Sequence, residues 1–305
     1  MRISFLTHGA DHPLVTATAA LLRPEHHVDV VDLGTAGAPS ASSPPPERVD
    51  VCLLKARTPA ALRLARSYQE SGAVVLNSVT ATARCQDRRE MARLARQAGL
   101  PFAATRTMES PGHLLEEQAF VRPLVIKSLH SRRGDLVSRV QDVEALRELS
   151  RTWPHEPIVV QDFAENSGWD QKLWVVGDQV FAGLRRSELA SPGTTGTGPR
   201  IGAGVLHEWR ELARGVGAVF GLEVYGVDVI ETADGSPLIV DVNAFPGMRG
   251  ADGAPGALAA LARKALLNRT VESAEGGLRH PEHAESVEST APQQQLGDGL
   301  PSVHG

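Results

Sequence analysis

The chain has 305 residues, 42% of them hydrophobic and 22% charged, with a formal net charge of −5, which is enough for two or three subdomains around shared cores. Residues 269–305 hold two Arg against six Asp and Glu, a net of −4, so the body stands near −1 and shows no basic footprint for nucleic acid. Nowhere do about 18 apolar residues run together, and the opening MRISFLTHGADHP has only a short apolar run, so neither export nor a membrane span is expected.

The first 80 residues alternate short apolar strands with helical patterns. RISFLTHG is followed by a helix through LVTATAALLR and the strand VDVVDLG, then VDVCLL, a helix through PAALRLARSYQESG, and AVVLN. That order predicts a doubly wound parallel α/β unit, placed at 1–84. Its Pro- and Ser-rich stretch 36–47 reads as a solvated loop, and it lacks the GxGxxG of a dinucleotide site. Neither Cys52 nor Cys85 has metal-ligand spacing; Cys52, inside VDVCLL, is expected to be a buried thiol, and a reducing cytoplasm fits both. His12 flanks the turn after the first strand and is expected to be structural. Arg57 follows the third strand, where an open α/β sheet presents ligands, and is a substrate-side candidate.

A central unit, 85–157, opens with CQDRREMARLARQAGLP, whose Met91, Leu94, Ala95 and Ala98 recur at helical spacing before Gly99 and Pro101 stop the helix. Strands at PLVIKSL and DLVSRV and a helix through DVEALRELS follow. A third unit, 158–268, runs from PIVVQDF through QKLWVVGDQVFAGL, a helix from His207 to Phe220, the strands VYGVDVI and PLIVDVN, and an apolar helix GALAALARKALL. Beyond Asn268 there are no aromatics, and 269–305 reads as a disordered tail.

The last two strands carry the chemistry. Asp234-Gly235 between them is a two-residue hairpin signal, and with that loop every opposed pair sums to 469, which sets Asp228 across from Asp241. Opposed Cβ atoms lie about 5 Å apart, where like charges repel; Asn243 falls on the same face about 7 Å further along. Three oxygen-bearing side chains on one face suit Mg²⁺, whereas a shifted register would leave two solvated carboxylates.

GVDVI and LIVDVNAFPG together resemble the metal-binding end of the ATP-grasp superfamily, and the resemblance extends in order over about residues 75–265. It is closest to the RimK-like ligases, which join glutamate or related amines to a carboxylate, and to the inositol-tris/tetrakisphosphate kinases. The resemblance implies an ATP-grasp fold of mixed α/β and α+β class, with two α+β subdomains clasping ATP. It implies that Asp228, Asp241 and Asn243 hold two Mg²⁺ ions, or Mn²⁺ in their place, against the nucleotide phosphates. By the same likeness Arg88 in QDRRE reaches the phosphates. Lys127 in PLVIKS contacts the α-phosphate and the adenine edge, while Gln161 with the backbone of Asp162 and Phe163 receives adenine. Asp170 lies near the ribose, Lys172 points to the γ-phosphate, and Arg185 stabilises the transferring phosphoryl group. Four cations on separate elements fit a reaction that needs positioning and positive charge more than a protein nucleophile.

Two loops depart from the pattern. SLHSRRGDLV has only Gly134 where the RimK-like loop has several glycines; His130, Arg132 and Arg133 contact phosphate or an anionic substrate there, or the loop has no specific partner. In 191–204 Arg200 is a candidate for a substrate carboxylate, beside the alternative of a plain connection. Phe245-Pro246-Gly247 ends the strand, with glycine permitting positive φ, and Gly247 joins the substrate-side candidates. The leading expectation is a ligase using small-molecule or peptide carboxylate and amine substrates. The alternatives are a small-molecule kinase and a non-catalytic nucleotide-binding regulator. A homo-oligomer would be ordinary.

Overall fold

The structure is a computed structural model that describes residues 1–34, 48–117, 123–190 and 203–276. The expectations for 36–47 and for Arg200 therefore lie outside the described residues, as does the expected tail from 277 onward.

The N-terminal sheet is parallel, in the order β2-β1-β3-β4, from β1 (Arg2–Thr7), β2 (His27–Asp32), β3 (Val51–Leu54) and β4 (Val74–Leu76). Its inner strands β1 and β3 are buried on both faces, which is why VCLL reads as a continuous apolar run, while the edge strand β2 is only partly buried. Helix α2 (Pro59–Glu70), capped by Thr58, covers one face with Ala61, Leu64, Ala65 and Tyr68. The other face takes α1 (Pro13–Leu22) together with α8 (Ala254–Gly276) from the far end of the sequence. The expected tail thus begins later than Asn268: Arg269 is buried and pairs with Asp50 beside β3, and the helix runs to Gly276.

The central sheet is antiparallel, in the order β5-β8-β6-β7, from β5 (Thr105–Met108), β6 (Leu124–Ser128), β7 (Val137–Val140) and β8 (Ile158–Asp162). Strand β8 was expected to open the C-terminal unit, yet it hydrogen-bonds between β5 and β6, so the boundary between units falls after it. Helices α5 (Pro111–Glu116) and α6 (Val143–Thr152) pack on this sheet through Leu114 and Leu146. Two further helices, α3 (Val79–Arg84) and α4 (Arg88–Gln97), lead into it, and Gly99 at φ +68 ends α4 as expected.

The C-terminal sheet, in the order β10-β9-β11-β12, is formed by β9 (Trp169–Val176), β10 (Gln179–Arg186), β11 (Val224–Glu231) and β12 (Pro237–Ala244), with α7 (Ala203–Phe220) on one face. Strand alternation divides its residues cleanly. Leu173, Val175, Val227, Val229, Ile239 and Val242 are buried against α7 and α4. Their sequence neighbours Lys172, Asp228, Asp241 and Asn243 line a cavity on the opposite face. Buried Asn77 joins this sheet to the N-terminal one: its amide donates to Val224 O at 2.6 Å, and its carbonyl accepts from Glu223 N and Val224 N at 2.8 Å each.

Candidate active site

The hairpin of β11 and β12 sets Asp228 opposite Asp241 and Gly226 opposite Asn243, as the sum of 469 requires. It reaches that register by two deviations that cancel. The loop has three residues, with Thr232 bonded to Ser236 and Gly235 at φ +83, so pairs next to it sum to 468: Val229 faces Ile239 and Ile230 faces Leu238. A β-bulge between Asp228 and Val229 then adds Val240 and restores 469. Val240 and Asp241 both line the cavity, while Ile239 and Val242 are buried in the core. The Val240 carbonyl accepts a 2.7 Å hydrogen bond from Lys127 Nζ on β6.

Lys172, Asp228 and Asp241 form a row across three strands, with Lys172 opposite Asp228 and Asp228 opposite Asp241. Lys172 is ion-paired with Asp228. Arg88, the first residue of α4, is directed here because Asp87 caps that helix by accepting from Arg89 N and Glu90 N. Its guanidinium is buried; Nη1 meets Ser128 O and Asp135, both at 2.7 Å, and Nη2 lies 3.7 Å from Asp241. Burial pushes the Asp228 carboxyl above the usual carboxylate range and Asp241 adds to this, with Lys172 opposing. Burial likewise lowers Lys127, against the pull of Asp241. Among the described residues no three His, Cys, Asp or Glu gather into a metal group; the third oxygen donor here is the Asn243 amide. Two crowded carboxylates and an amide oxygen are a hard donor set that fits Mg²⁺, and a cation would relieve the strain on Asp228.

The cavity holds about 400 Å³ and passes between the central and C-terminal sheets. Arg88, Lys127, Gln161, Asp162, Phe163, Asp170, Lys172, Arg185, the three proposed metal ligands, Arg57 and Arg132 all line it. At the end formed by β8, Gln161 Nε2 donates to Thr105 Oγ1 at 2.9 Å, and the Arg139 guanidinium lies 3.7 Å over the Phe163 ring. The Phe163 amide donates to Pro123 O at 3.0 Å. That N–H is therefore already used, which leaves the Phe163 carbonyl to face a purine; the Ala164 amide, also at the cavity wall, has no partner among the described residues. Arg132 pairs with Glu156 and Arg185 with Glu188 at the rim. His130 is exposed and lines neither this cavity nor the next.

A second cavity, of about 820 Å³, adjoins the first and shares Arg57, Lys172, Arg185, Asp228 and Asn243 with it. Arg133 and Gly247 line this one. Its floor exists because Gly226 has no side chain: a Cβ there would meet Pro246 at 3.1 Å and Trp174 at 3.3 Å. Gly247 does not carry the positive φ expected of it; Phe245 (φ 46) and Met248 (φ 50) do, both buried, a strained pair of the kind found at functional sites. Gly247 instead lies close to His12: a Cβ there would stand 3.3 Å from Nε2, and the imidazole would have to give by a few tenths of an ångström. His12 keeps its expected structural role, its Nδ1 accepting from Leu14 N at the start of α1, and it also faces this cavity. Lys55 was missed. It follows the buried strand VCLL at its carboxyl end, the same signal that singled out Arg57, and its Nζ lies 5.9 Å from the Phe245 ring centroid.

Comparison with known structures defines the class. A RimK domain ATP-grasp protein from Sphaerobacter thermophilus superposes with a TM-score of 0.67 at 22% identity, covering 86% of this chain and 100% of that one. The ATP-grasp ligase PsnB complexed with a minimal precursor, Mg and ADP matches with a TM-score of 0.60 at 19% identity, over 88% of this chain and 97% of that one. The fold is therefore the ATP-grasp fold.

Within that class, residues 86–261 match the model of the RimK-like ATP-grasp domain, and the chain belongs to that family. A probable alpha-L-glutamate ligase of Pseudomonas paraeruginosa is 30% identical over 197 residues, 61% of this chain. The chain spans 64% of that relative's length. No helix among the described residues is long and apolar enough to cross a membrane.

Proposed function

We propose that this protein is an ATP-dependent ligase that activates a carboxylate as an acyl phosphate and joins it to an amine. The observation that carries this reading is the pair of adjoining cavities that meet at Lys172, Arg185, Asp228 and Asn243. One has the size of a nucleotide site, and the other opens beside its charged end. The names of the glutamate ligase relatives support the same reading.

Gln161 and the backbone of Asp162 and Phe163, with the Ala164 amide beside them, would receive the purine, and Asp170 would lie near the ribose. Arg88, Lys127 and Lys172 would hold the phosphates, and Arg185, at the junction of the cavities, would face the transferring group. Asp228, Asp241 and Asn243 would hold Mg²⁺, two ions by family likeness and Mn²⁺ as a substitute. Bound there, the metal supplies charge neutralisation for the polyphosphate. The protein's own part is to fix the acid's carboxylate in line with the terminal phosphate and to exclude water while the acyl phosphate awaits the amine. Arg57 and Arg133 would orient an anionic part of either substrate, a small molecule or a peptide. Two buried, unpaired thiols and the use of ATP support a cytoplasmic setting.

The test is product analysis with Mg-ATP and panels of acids and amines. ADP, free phosphate and a new amide mass are expected in equal amounts. The strongly basic lining of the second cavity favours one rival, a kinase acting on a polyphosphorylated hydroxyl acceptor. That rival requires phosphate to stay on the acceptor, with none released.

A further inference from the structure

We propose that Lys55 is the general base that takes the proton from the incoming amine; this role rests on the ligase reading above. An amine reaches the enzyme as R–NH₃⁺ and cannot attack an acyl carbon until it has lost a proton. Some group in the second cavity must accept it within hydrogen-bond reach.

Among the described residues lining that cavity, arginines aside, the side chains that can take up a proton are those of Asp228, His12, Lys172 and Lys55. Asp228 and Lys172 are committed to each other, and Asp228 also to the proposed metal site. His12 uses its Nδ1 lone pair on Leu14 N at 3.2 Å, so its neutral form carries the proton on Nε2, facing Gly247, and offers a donor rather than an acceptor. Lys55 remains. No carboxylate among the described residues pairs with it, and its Nζ stands 5.9 Å from the centroid of the Phe245 ring.

The surroundings favour a neutral amine at this position. Burial, then Arg57 two residues on, push Lys55 down to about 8. His12 faces it from the start of α1, with Asp11 beside it, and Arg249 from the segment after β12; Lys55 and Arg249 in turn lower His12. From the C-terminal sheet come Lys172, Arg185 and Asp228, and from the β6–β7 loop Arg133. The balance is cationic, which suits a lysine acting as base.

In the step, R–NH₃⁺ gives one proton to the neutral ε-amine. The freed lone pair forms the C–N bond, the C–O bond to phosphate breaks, and phosphate leaves with that electron pair, taking the second nitrogen proton. Lys55 then returns its proton to solvent. The same cavity that holds the amine thereby sets the pH at which it reacts.

Hydroxylamine separates this role from the rest of the machinery because it is already unprotonated at neutral pH. With Mg-ATP and an acid panel beginning with L-glutamate, hydroxamate formation needs the acyl phosphate but no base. Lys55→Met and Lys55→Arg should lose amide formation with a primary amine by roughly 10²- to 10⁴-fold and keep hydroxamate formation. The wild-type amide rate should rise with pH through about 8, with a flat hydroxylamine profile. Amide formation retained by Lys55→Arg overturns the proposal, since arginine can hold an anion but cannot act as base. Wild-type protein that gives no hydroxamate with any acid overturns the ligase reading and this role with it. Independently of substrate, competitive acetic anhydride labelling of the wild-type chain should titrate Lys55 near 8; an ordinary lysine titration also overturns the proposal.

Discussion

The two cavities hold similar side chains in opposite electrostatic states. In the first, Arg88 meets Asp135 and approaches Asp241, Lys172 meets Asp228, and Lys127 meets a backbone carbonyl. In the second, Lys55, Arg133 and Arg249 have no carboxylate partner among the described residues, and the Arg57 Nη1 atom is buried without a hydrogen bond. A site whose charges are already balanced can exchange one set of ion pairs for another when a metal and a polyphosphate arrive together. An unbalanced site needs its counter-charge from the ligand. The first region is thus organised before binding, and the second is completed by it.

Four experiments can break or sharpen that contrast. The largest effect is expected for Asp241→Asn, which removes a metal-binding charge and leaves Arg88 short of a partner. ADP release should fall by more than the roughly 10- to 100-fold that losing an outer partner of a metal ligand costs, and full activity would remove Asp241 from the site. Lys127→Met should raise the KM for ATP by about 10- to 100-fold, the worth of a charge-assisted hydrogen bond, without moving the KM of the acid. An equal effect on both substrates in steady-state kinetics would contradict the division into two sites.

The third is a stability measurement. The folded pKa of Lys55, about 8, lies below its ordinary 10.5, so between those values the unfolded chain binds more protons and wild-type stability rises with pH. Lys55→Met should be more stable than wild type at pH 7, on the order of 1 kcal/mol once solvent screening of a half-buried side chain is discounted. That advantage should vanish toward pH 10.5, as read from urea midpoints at both ends of the window. The smallest effect belongs to exposed Arg249: Arg249→Ala should raise the KM of the anionic substrate about two- to five-fold and leave the KM for ATP unchanged.

Much of the first cavity was legible because strand alternation is local. Once Asp228 and Asp241 were known to face one another, Asn243 followed from period two and the core fell on the other face, whereas Lys172, on another strand, came from the family likeness. Less could be read where the answer depends on which sheet a strand joins: PIVVQDF is visibly a strand, but nothing in its composition tells β5 and β6 from β9. That the Phe163 N–H is spent on Pro123 was hidden for the same reason, since the chain order does not give the position of that neighbouring segment. Lys55 and Arg57 share one signal at the end of VCLL, and only the packing of Phe245 over the lysine distinguishes them. Gly247 lines the second cavity without the positive φ expected of it, because a contact with His12, 235 residues away in the chain, cannot be read from torsional preference.

The bulge at Val240 has a consequence for how this site can vary. Removing that one residue would leave Asp241 opposite Asp228, since the uninterrupted pairing beside the loop leads to the same neighbour. What would disappear is the carbonyl that Lys127 grips. Because the contact is made by main chain, any side chain at position 240 that tolerates the cavity wall preserves it. The lysine's anchor is encoded in the length of the strand and leaves no mark in the identity of the residue that supplies it.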